Sequence, residues 1–370
     1  MESNSWPVVL TNIAGPDPLT ADHVDWAMRE ILSDRSSDAQ IAAFVMGLKI
    51  KGETPEQVSA LAATMLEFAN LVPIPPQMSV VLDIVGTGGD GSHSVNISTM
   101  AAVVAASCGV TVIKHGNRAV SSSAGSADLL EALGLDLDLS AEQVGMVAQE
   151  AGIAFCFAPK HHPAMRFAGP ARTQLGIPTV FNILGPLTNP ALANAALVGC
   201  ANLVLAPVMA NVLAARGVRA LVVRGMDGLD EISLSAPTQV WDATSGVVVE
   251  TILDPADFGN VGFLEEHLRG GTPERNADLT RKVFGGSDPG TDAEVVVSIR
   301  RAVALNAAAA LAAAASVENP ASSSEPLIDR IHNYLPRATA ALESGDTWKV
   351  FEKWVTVVAQ VKNSLEVGNS

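Results

Sequence analysis

The chain of 370 residues carries 39 acidic against 23 basic side chains, a formal net charge of −16, so a nucleic-acid backbone or an anionic membrane surface, each needing a basic face, is excluded as a general partner. At 48% hydrophobic content it can bury a large core, and a few local cations with backbone N–H groups still suffice for a small anion, because salt screens the acidic surface beyond about 8 Å. Cys108, Cys156 and Cys200 are odd in number and lack zinc-site spacing, which reads as reduced core cysteines. The opening Met1-Glu2-Ser3-Asn4-Ser5-Trp6-Pro7 has neither the cationic nor the apolar stretch of a secretory leader, so a cytoplasmic location is expected.

In chain order, Thr20 is placed to cap a helix over Ala21–Leu32, Ser37 one over Asp38–Ile50 that Gly52 stops, and Thr54-Pro55-Glu56-Gln57 opens a third running through Phe68. Pro73-Ile74-Pro75-Pro76 ends helix formation and predicts a linker. A helical domain is thus expected over 1–77, joined by part of 165–190, with an α/β domain over 78–370. Beyond the linker, apolar runs alternate in βαβα order: strand Val80–Val85, helix Thr99–Ala106, strand Val110–Lys114, helix Ala127–Leu133. Further strands are predicted over Gly152–Phe157, Ala195–Val198 and Ala220–Arg224, giving a mostly parallel, helix-covered sheet. The apolar stretch Ala302–Val317, broken by Asn306, is shorter than the roughly 20 residues of a membrane span and reads as a buried alanine-rich helix without chemistry. Ala321-Ser322-Ser323-Ser324 reads as a loop.

Four segments point to chemistry. Asp83-Ile84-Val85-Gly86-Thr87-Gly88-Gly89-Asp90-Gly91 ends a strand before Asn96-Ile97-Ser98-Thr99 opens a helix, so successive N–H groups can cradle an anion such as pyrophosphate. An ordinary glycine-rich turn would have the same glycines; neither a dinucleotide nor a Walker fingerprint is present. Lys114-His115-Gly116-Asn117-Arg118, with Ser121, Ser122, Ser123 and Ser126 behind it, repeats the strand-end and helix-start arrangement for a second phosphate, or is a solvated loop. Asp227-Gly228-Leu229-Asp230-Glu231 offers hard oxygen ligands suited to Mg²⁺, or is a surface acidic turn. In Phe157-Ala158-Pro159-Lys160-His161-His162-Pro163 the paired histidines lack a third spaced metal ligand. Arg166 and Arg172 beyond them suit a carboxylate, or pair with surface acids.

In this order and spacing, GTGGD, NIST, KHGNR with its serines, FAPKHHP and FNILGPLTNP (residues 181–190) resemble the anthranilate phosphoribosyltransferases over nearly the whole chain. The resemblance implies a small helical domain, a larger α/β domain related to that of pyrimidine nucleoside phosphorylases, an active site at the hinge, and a homodimer through the helical domain. It implies transfer of the 5-phosphoribosyl group from phosphoribosyl pyrophosphate to anthranilate in tryptophan biosynthesis, with Mg²⁺ as cofactor. Carried over, it places phosphoribosyl pyrophosphate against Gly86, Gly89, Asp90, Ser94, Asn96, Ile97, Ser98, Thr99, Lys114, His115, Gly116, Asn117, Arg118, Ala119, Val120, Ser121, Ser122 and Ser126. Ser98, Asp230 and Glu231 would take the metal. Gly86, Asn117 and Arg172, with His115, Pro159 and His162, would take anthranilate. Pro178 stands where the resemblance implies an arginine, and Met165 and Met226 also depart from it. The alternatives are a pyrimidine nucleoside phosphorylase, which would use inorganic phosphate, and a non-catalytic nucleic-acid-binding relative, which would need a basic groove.

Overall fold

The computed structural model describes residues 4–16, 19–119, 123–259, 265–285 and 287–366. Helices α1 (Trp6–Ala14), α2 (Ala21–Leu32), α3 (Asp38–Lys51) and α4 (Pro55–Glu67) come first. The side chains of Thr20, Ser37 and Thr54 accept the N–H three residues on, which satisfies one orphan donor at the start of each of α2, α3 and α4.

The α/β part runs β1 (Leu82–Gly86), α5 (Ile97–Ser107), β2 (Val112–Gly116), α6 (Ser126–Ala132), α7 (Ala141–Ala151), β3 (Ile153–Phe157), α8 (Ala158–His161), α9 (Gly169–Leu175), α10 (Phe181–Leu187), β4 (Ala195–Gly199), α11 (Leu205–Ala215) and β5 (Arg219–Gly225). It continues with β6 (Thr238–Asp242), β7 (Val249–Leu253), α12 (Pro273–Val283), α13 (Ala293–Glu318), α14 (Leu327–Glu343) and α15 (Asp346–Glu366). The seven strands lie in the order β3-β2-β1-β4-β5-β6-β7, parallel from β3 to β5 and antiparallel at β6 and β7.

Alternation along the strands assigns the two faces. Leu197, Leu221 and Val223 point into a core shared with α5, α7 and α13 to α15. Ala196, Val198 and Val222 point into a second core that contains α11, α10 and the apolar side chains of α1 to α4. The apolar helix containing 293–318 is 78% buried over its most hydrophobic stretch, which makes it a core helix by its surroundings. All three cysteines are buried free thiols.

One expectation needs correction. Residues Pro320–Ser324 form a turn of 3₁₀ helix, because each serine hydroxyl donates to the carbonyl three residues back: Ser322 to Asn319 at 2.7 Å, Ser323 to Pro320 at 2.6 Å, Ser324 to Ala321 at 2.7 Å. The sheet also extends by the antiparallel β6 and β7, which lack a long apolar run; most of β7 is exposed at the sheet edge.

Candidate functional site

The chain leaves β1 through α5 on one face of the sheet and leaves β4, on the other side of β1, through α11 on the opposite face. Such a reversal opens a crevice beyond the carboxyl ends of the two strands. The loop after β5 folds into it. Asp227 shapes that loop by accepting hydrogen bonds from Ser233 Oγ (2.6 Å), Ser235 Oγ (3.0 Å) and the Leu229 N–H (3.2 Å). Asp230 is thereby pressed between the strand ends: a Cβ on Gly86 would lie 2.5 Å from Asp230 Oδ2, and one on Gly199 would overlap the Asp230 carbonyl.

Asp230 Oδ2 accepts the Gly88 N–H at 2.7 Å, and Ser98 Oγ donates to Glu231 Oε1 at 3.2 Å. The glycine-rich loop and the start of α5 therefore meet the acidic pair. Asp90 joins them, with one oxygen of each of Asp90, Asp230 and Glu231 lying within 4.8 Å of the others. Asp230 is 6% and Glu231 8% exposed. Burial, reinforced by Asp90, pushes the Asp230 carboxyl up to about 7. Burial, with Asp230 and Asp90, pushes Glu231 well above the ordinary carboxylate range. Two charges 4 Å apart repel by about 4 kcal/mol at an effective dielectric of about 20, so three full charges need a cation. Glu231 Oε2 is buried without a hydrogen-bond partner among the described residues, as expected of a ligand oxygen. The donor set, all oxygen, fits Mg²⁺.

The buried Lys114 ammonium donates to the Ile84 carbonyl under this group. Burial lowers its pKa, and Asp83, Glu231 and Asp230 draw it back up. Asp83, held at about 6 by burial against the pull of Lys114, accepts from the His115 N–H (3.1 Å) and Asn189 Nδ2 (2.8 Å). In the following loop Asp128 accepts from the Ala119 and Gly125 N–H groups at 2.9 and 2.8 Å, and Ser126 Oγ donates to the Asn117 carbonyl at 3.1 Å. Gly116 has no room for a Cβ because Ser126 Oγ and the Phe155 ring occupy it. The Arg118 guanidinium pairs with Glu131 and Asp128 and lies over the Phe157 ring. Val120, Ser121 and Ser122 lie outside the described residues.

At the start of α5, the Ile97 side chain is in the core and its N–H donates to Val95 at 2.7 Å, while Thr99 is buried. Ser94 bridges to Arg269. Asn96 is the N-cap residue of α5, but its side chain makes no capping hydrogen bond. Its Nδ2 donates to the Ala124 carbonyl (3.0 Å) and its Oδ1 accepts from Asn276 Nδ2 (3.0 Å). Asn276, buried on α12, also accepts the Gly271 N–H at 2.8 Å. This relay ties the loop before α5 and the loop after β2 to the 265–276 segment. Nothing in the sequence reading singled out Asn276; its signal was a polar residue at the start of an otherwise ordinary amphipathic helix. Asn276→Ala is expected to raise the KM for the phosphorylated substrate about 10-fold, since it strands the partly buried Asn96 Oδ1 and Gly271 N–H, at a cost of about 1–3 kcal/mol. Steady-state kinetics check it, and an unchanged KM would refute the relay.

On the other side of β2, His115 Nδ1 donates to the Gly185 carbonyl at 2.9 Å and His162 Nε2 to the Thr188 carbonyl at 2.9 Å, with the rings 5.1 Å apart. Burial holds both neutral, His115 down to about 3 and His162 to about 4. His115 Nε2 and His162 Nδ1 are left without partners among the described residues. His161 is a structural link instead, donating from Nδ1 to the Asn70 carbonyl at 2.8 Å. Pro159 is in the short α8, Arg172 is half-buried on α9, and burial lowers the Arg172 pKa. No hydrogen bond or ion pair joins Arg172 to the acidic group among the described residues. Pro178 and Met226 are exposed and Met165 packs against the core shared by α1 to α4.

The helical bundle and the mostly parallel sheet are those of a glycosyl transferase family: residues 9–69 match its helical bundle domain and residues 78–347 its a/b domain. Over 366 residues the chain is 47% identical to an anthranilate phosphoribosyltransferase of Salinispora arenicola, spanning 99% of this chain and 100% of the relative. It is 47% identical over 357 residues to one of Nocardia farcinica, spanning 96% and 99%. Among solved structures it is similar to the Thermus thermophilus enzyme (38% identity, TM-score 0.82, 95% of this chain and 99% of that one). It is also similar to the Saccharomyces cerevisiae enzyme in complex with phosphoribosyl pyrophosphate and Mg (27% identity, TM-score 0.82, 96% and 98%). The chain belongs to the anthranilate phosphoribosyltransferases, enzymes of tryptophan biosynthesis.

Proposed function

We propose that the crevice binds phosphoribosyl pyrophosphate through the loops 86–99 and 114–126, with Ser98, Asp230 and Glu231 holding Mg²⁺ and Asp90 beside them. The observation that carries this reading is the group of three carboxylates, Asp230 and Glu231 buried and Asp90 partly exposed, with a Glu231 oxygen unpartnered among the described residues, set where the glycine-rich loop and α5 begin. When bound, the metal supplies electrostatic stabilisation of charge on the departing pyrophosphate. The chain's own part is to orient and to exclude water. The N–H groups of the glycine-rich loop beyond Gly88, whose own N–H is held by Asp230, are assigned to the departing anion; the amine of anthranilate bonds to C1 of the ribose as the bond to pyrophosphate breaks, and the proton it then loses goes to the departing pyrophosphate or to solvent. A neutral aromatic amine is already nucleophilic, so positioning replaces a strong base.

His115 and His162, neutral and buried, line the anthranilate side, with Pro159 beside His162. Arg172, whose guanidinium has no hydrogen bond or ion pair among the described residues, is assigned to the substrate carboxylate. The division into 1–77, with part of 165–190, and 78–370 is proposed on the same grounds: Ala168, Ala171, Phe181 and Leu184 share the core of α1 to α4. A homodimer through the helical part is supported by the family resemblance and by Ile50, exposed on α3.

The direct test is the loss of anthranilate fluorescence on mixing protein, phosphoribosyl pyrophosphate and Mg²⁺, with EDTA as control. Metal-dependent consumption is expected; none from folded protein would overturn the reading.

The metal's effect should also depend on pH. A carboxyl raised from 3.8 to about 7 in the fold favours the protonated folded state, so its contribution to stability is complete below about 4 and is lost as pH rises to about 7. Mg²⁺ binds the ionised form and is expected to raise the melting temperature at pH 8 but not at pH 5.5. Calorimetry checks this, and a pH-independent shift would refute it.

A further inference from the structure

Asn306 is the interruption in the alanine run of α13, and it is 1% exposed. Its Oδ1 accepts the Ile232 N–H at 3.0 Å, and its Nδ2 donates to the Ile232 carbonyl at 3.1 Å and to the Ala302 carbonyl of its own helix at 2.9 Å. Both amide hydrogens and the oxygen are therefore engaged. Ile232 follows Glu231 directly, and its own side chain is buried in the core beside α13.

The acidic pair is thus held from three directions. Gly86 and Gly199 admit Asp230 by lacking a Cβ, Gly88 and Ser98 bond the carboxylates, and Asn306 clamps the backbone on the far side. The repulsion between closely spaced, buried carboxylates acts to expel the 230–232 segment toward solvent. A two-sided backbone clamp, rooted in a long core helix, opposes that expulsion. An alanine at 306 would suit the helix better. An amide there is explained by what it holds.

We infer that Asn306 is a positioning residue that keeps Asp230 and Glu231 in metal-binding geometry; the inference rests on the assignment of Mg²⁺ to that pair. Asn194, partly exposed, provides a control remote from the acids. It makes the same kind of clamp at the opposite end of β1, accepting the Val81 N–H at 2.9 Å and donating to the Ser79 carbonyl at 2.8 Å, away from the acids.

The experiment compares full-length wild type, Asn306→Ala, Asn194→Ala and the double variant Asp230→Asn/Glu231→Gln. Two readouts are taken: Mn²⁺ binding to substrate-free protein by loss of the free-ion electron paramagnetic resonance signal, and the Mg²⁺ concentration for half-maximal turnover. Asn306→Ala is expected to weaken both by about 10-fold or more, with turnover recovering at high Mg²⁺, while Asn194→Ala keeps wild-type values on both. Asn306→Leu, which fills the volume that alanine vacates, serves in its place if the cavity prevents folding. Wild-type metal binding in the Asn306 variant, or equal weakening in the Asn194 variant, would overturn the inference. Undiminished Mn²⁺ binding by Asp230→Asn/Glu231→Gln would instead overturn the metal assignment beneath it.

Discussion

Replacing both Asp230 and Glu231 with alanine is expected to reduce turnover by more than about 10³-fold, since removal of a single preorganised electrostatic contact to developing charge costs about 10²–10³-fold. The loss should not come from unfolding. Both carboxyls are buried and held above their ordinary range, Asp230 by burial and Asp90, Glu231 by burial, Asp230 and Asp90, so without metal they oppose the folded state. Asp230→Asn/Glu231→Gln keeps the shape while removing that repulsion, and is expected to melt at or above the metal-free wild type at pH 8 while remaining inactive. Kinetics by anthranilate fluorescence and melting curves on the same preparations test both halves. Full activity in the double alanine variant would sink the assignment. Inactivity with a melting temperature far below wild type would mean that the pair serves stability instead.

The second large effect is expected at Gly199. A methyl group there would overlap the Asp230 carbonyl and lie 2.5 Å from its carbon. Both belong to backbone, so no rotamer change relieves the overlap. The 230–232 segment must then move away from the end of β4. Overpacking of this kind costs about 1–3 kcal/mol, and misplacement of a reacting geometry by about 1 Å costs about 10²-fold in rate. Gly199→Ala should therefore lose stability in urea unfolding and at least about 10²-fold in kcat/KM. Gly88→Ala is a useful contrast. Nothing lies within 4 Å of a Cβ at position 88, but φ is +64° there, so the cost is local strain of about 1–2 kcal/mol. If Gly199→Ala were the milder of the two in rate, the packing of Asp230 onto β4 would not govern the site.

Much of the candidate site was legible because the anion binding proposed for it needs, at a strand end, a local run of glycines, hydroxyls and a helix start, and such a run is contiguous. The segments 83–91, 96–99 and 114–118 could be read as ligand loops for that reason, and the acids at 230–231 as metal ligands once the resemblance supplied their partners. Asp90 was assigned to the phosphorylated substrate; its place among the carboxylates depends on a separation of 140 residues in the chain closing to within 4.8 Å. Asn276 and Asn306 were missed for a related reason. Each is a single amide in a helix whose pattern otherwise declares only burial, and their partners, Asn96 and Ile232, are 180 and 74 residues away. Arg118, taken as a phosphate ligand, is engaged by Glu131 and Asp128 in this structure. A local motif shows which charges are available and leaves open which neighbours neutralise them.

By itself the sequence determined the helical start, the linker after residue 72, the parallel strands and the loops beyond them, because capping, periodicity and glycine placement act within a few residues. Tertiary structure alone decided the antiparallel edge of β6 and β7, the burial that raises Asp230 and Glu231, and the meeting of three carboxylates at the crevice. Those outcomes depend on strand order and on which groups lose water together, and both follow from contacts between residues far apart in the chain.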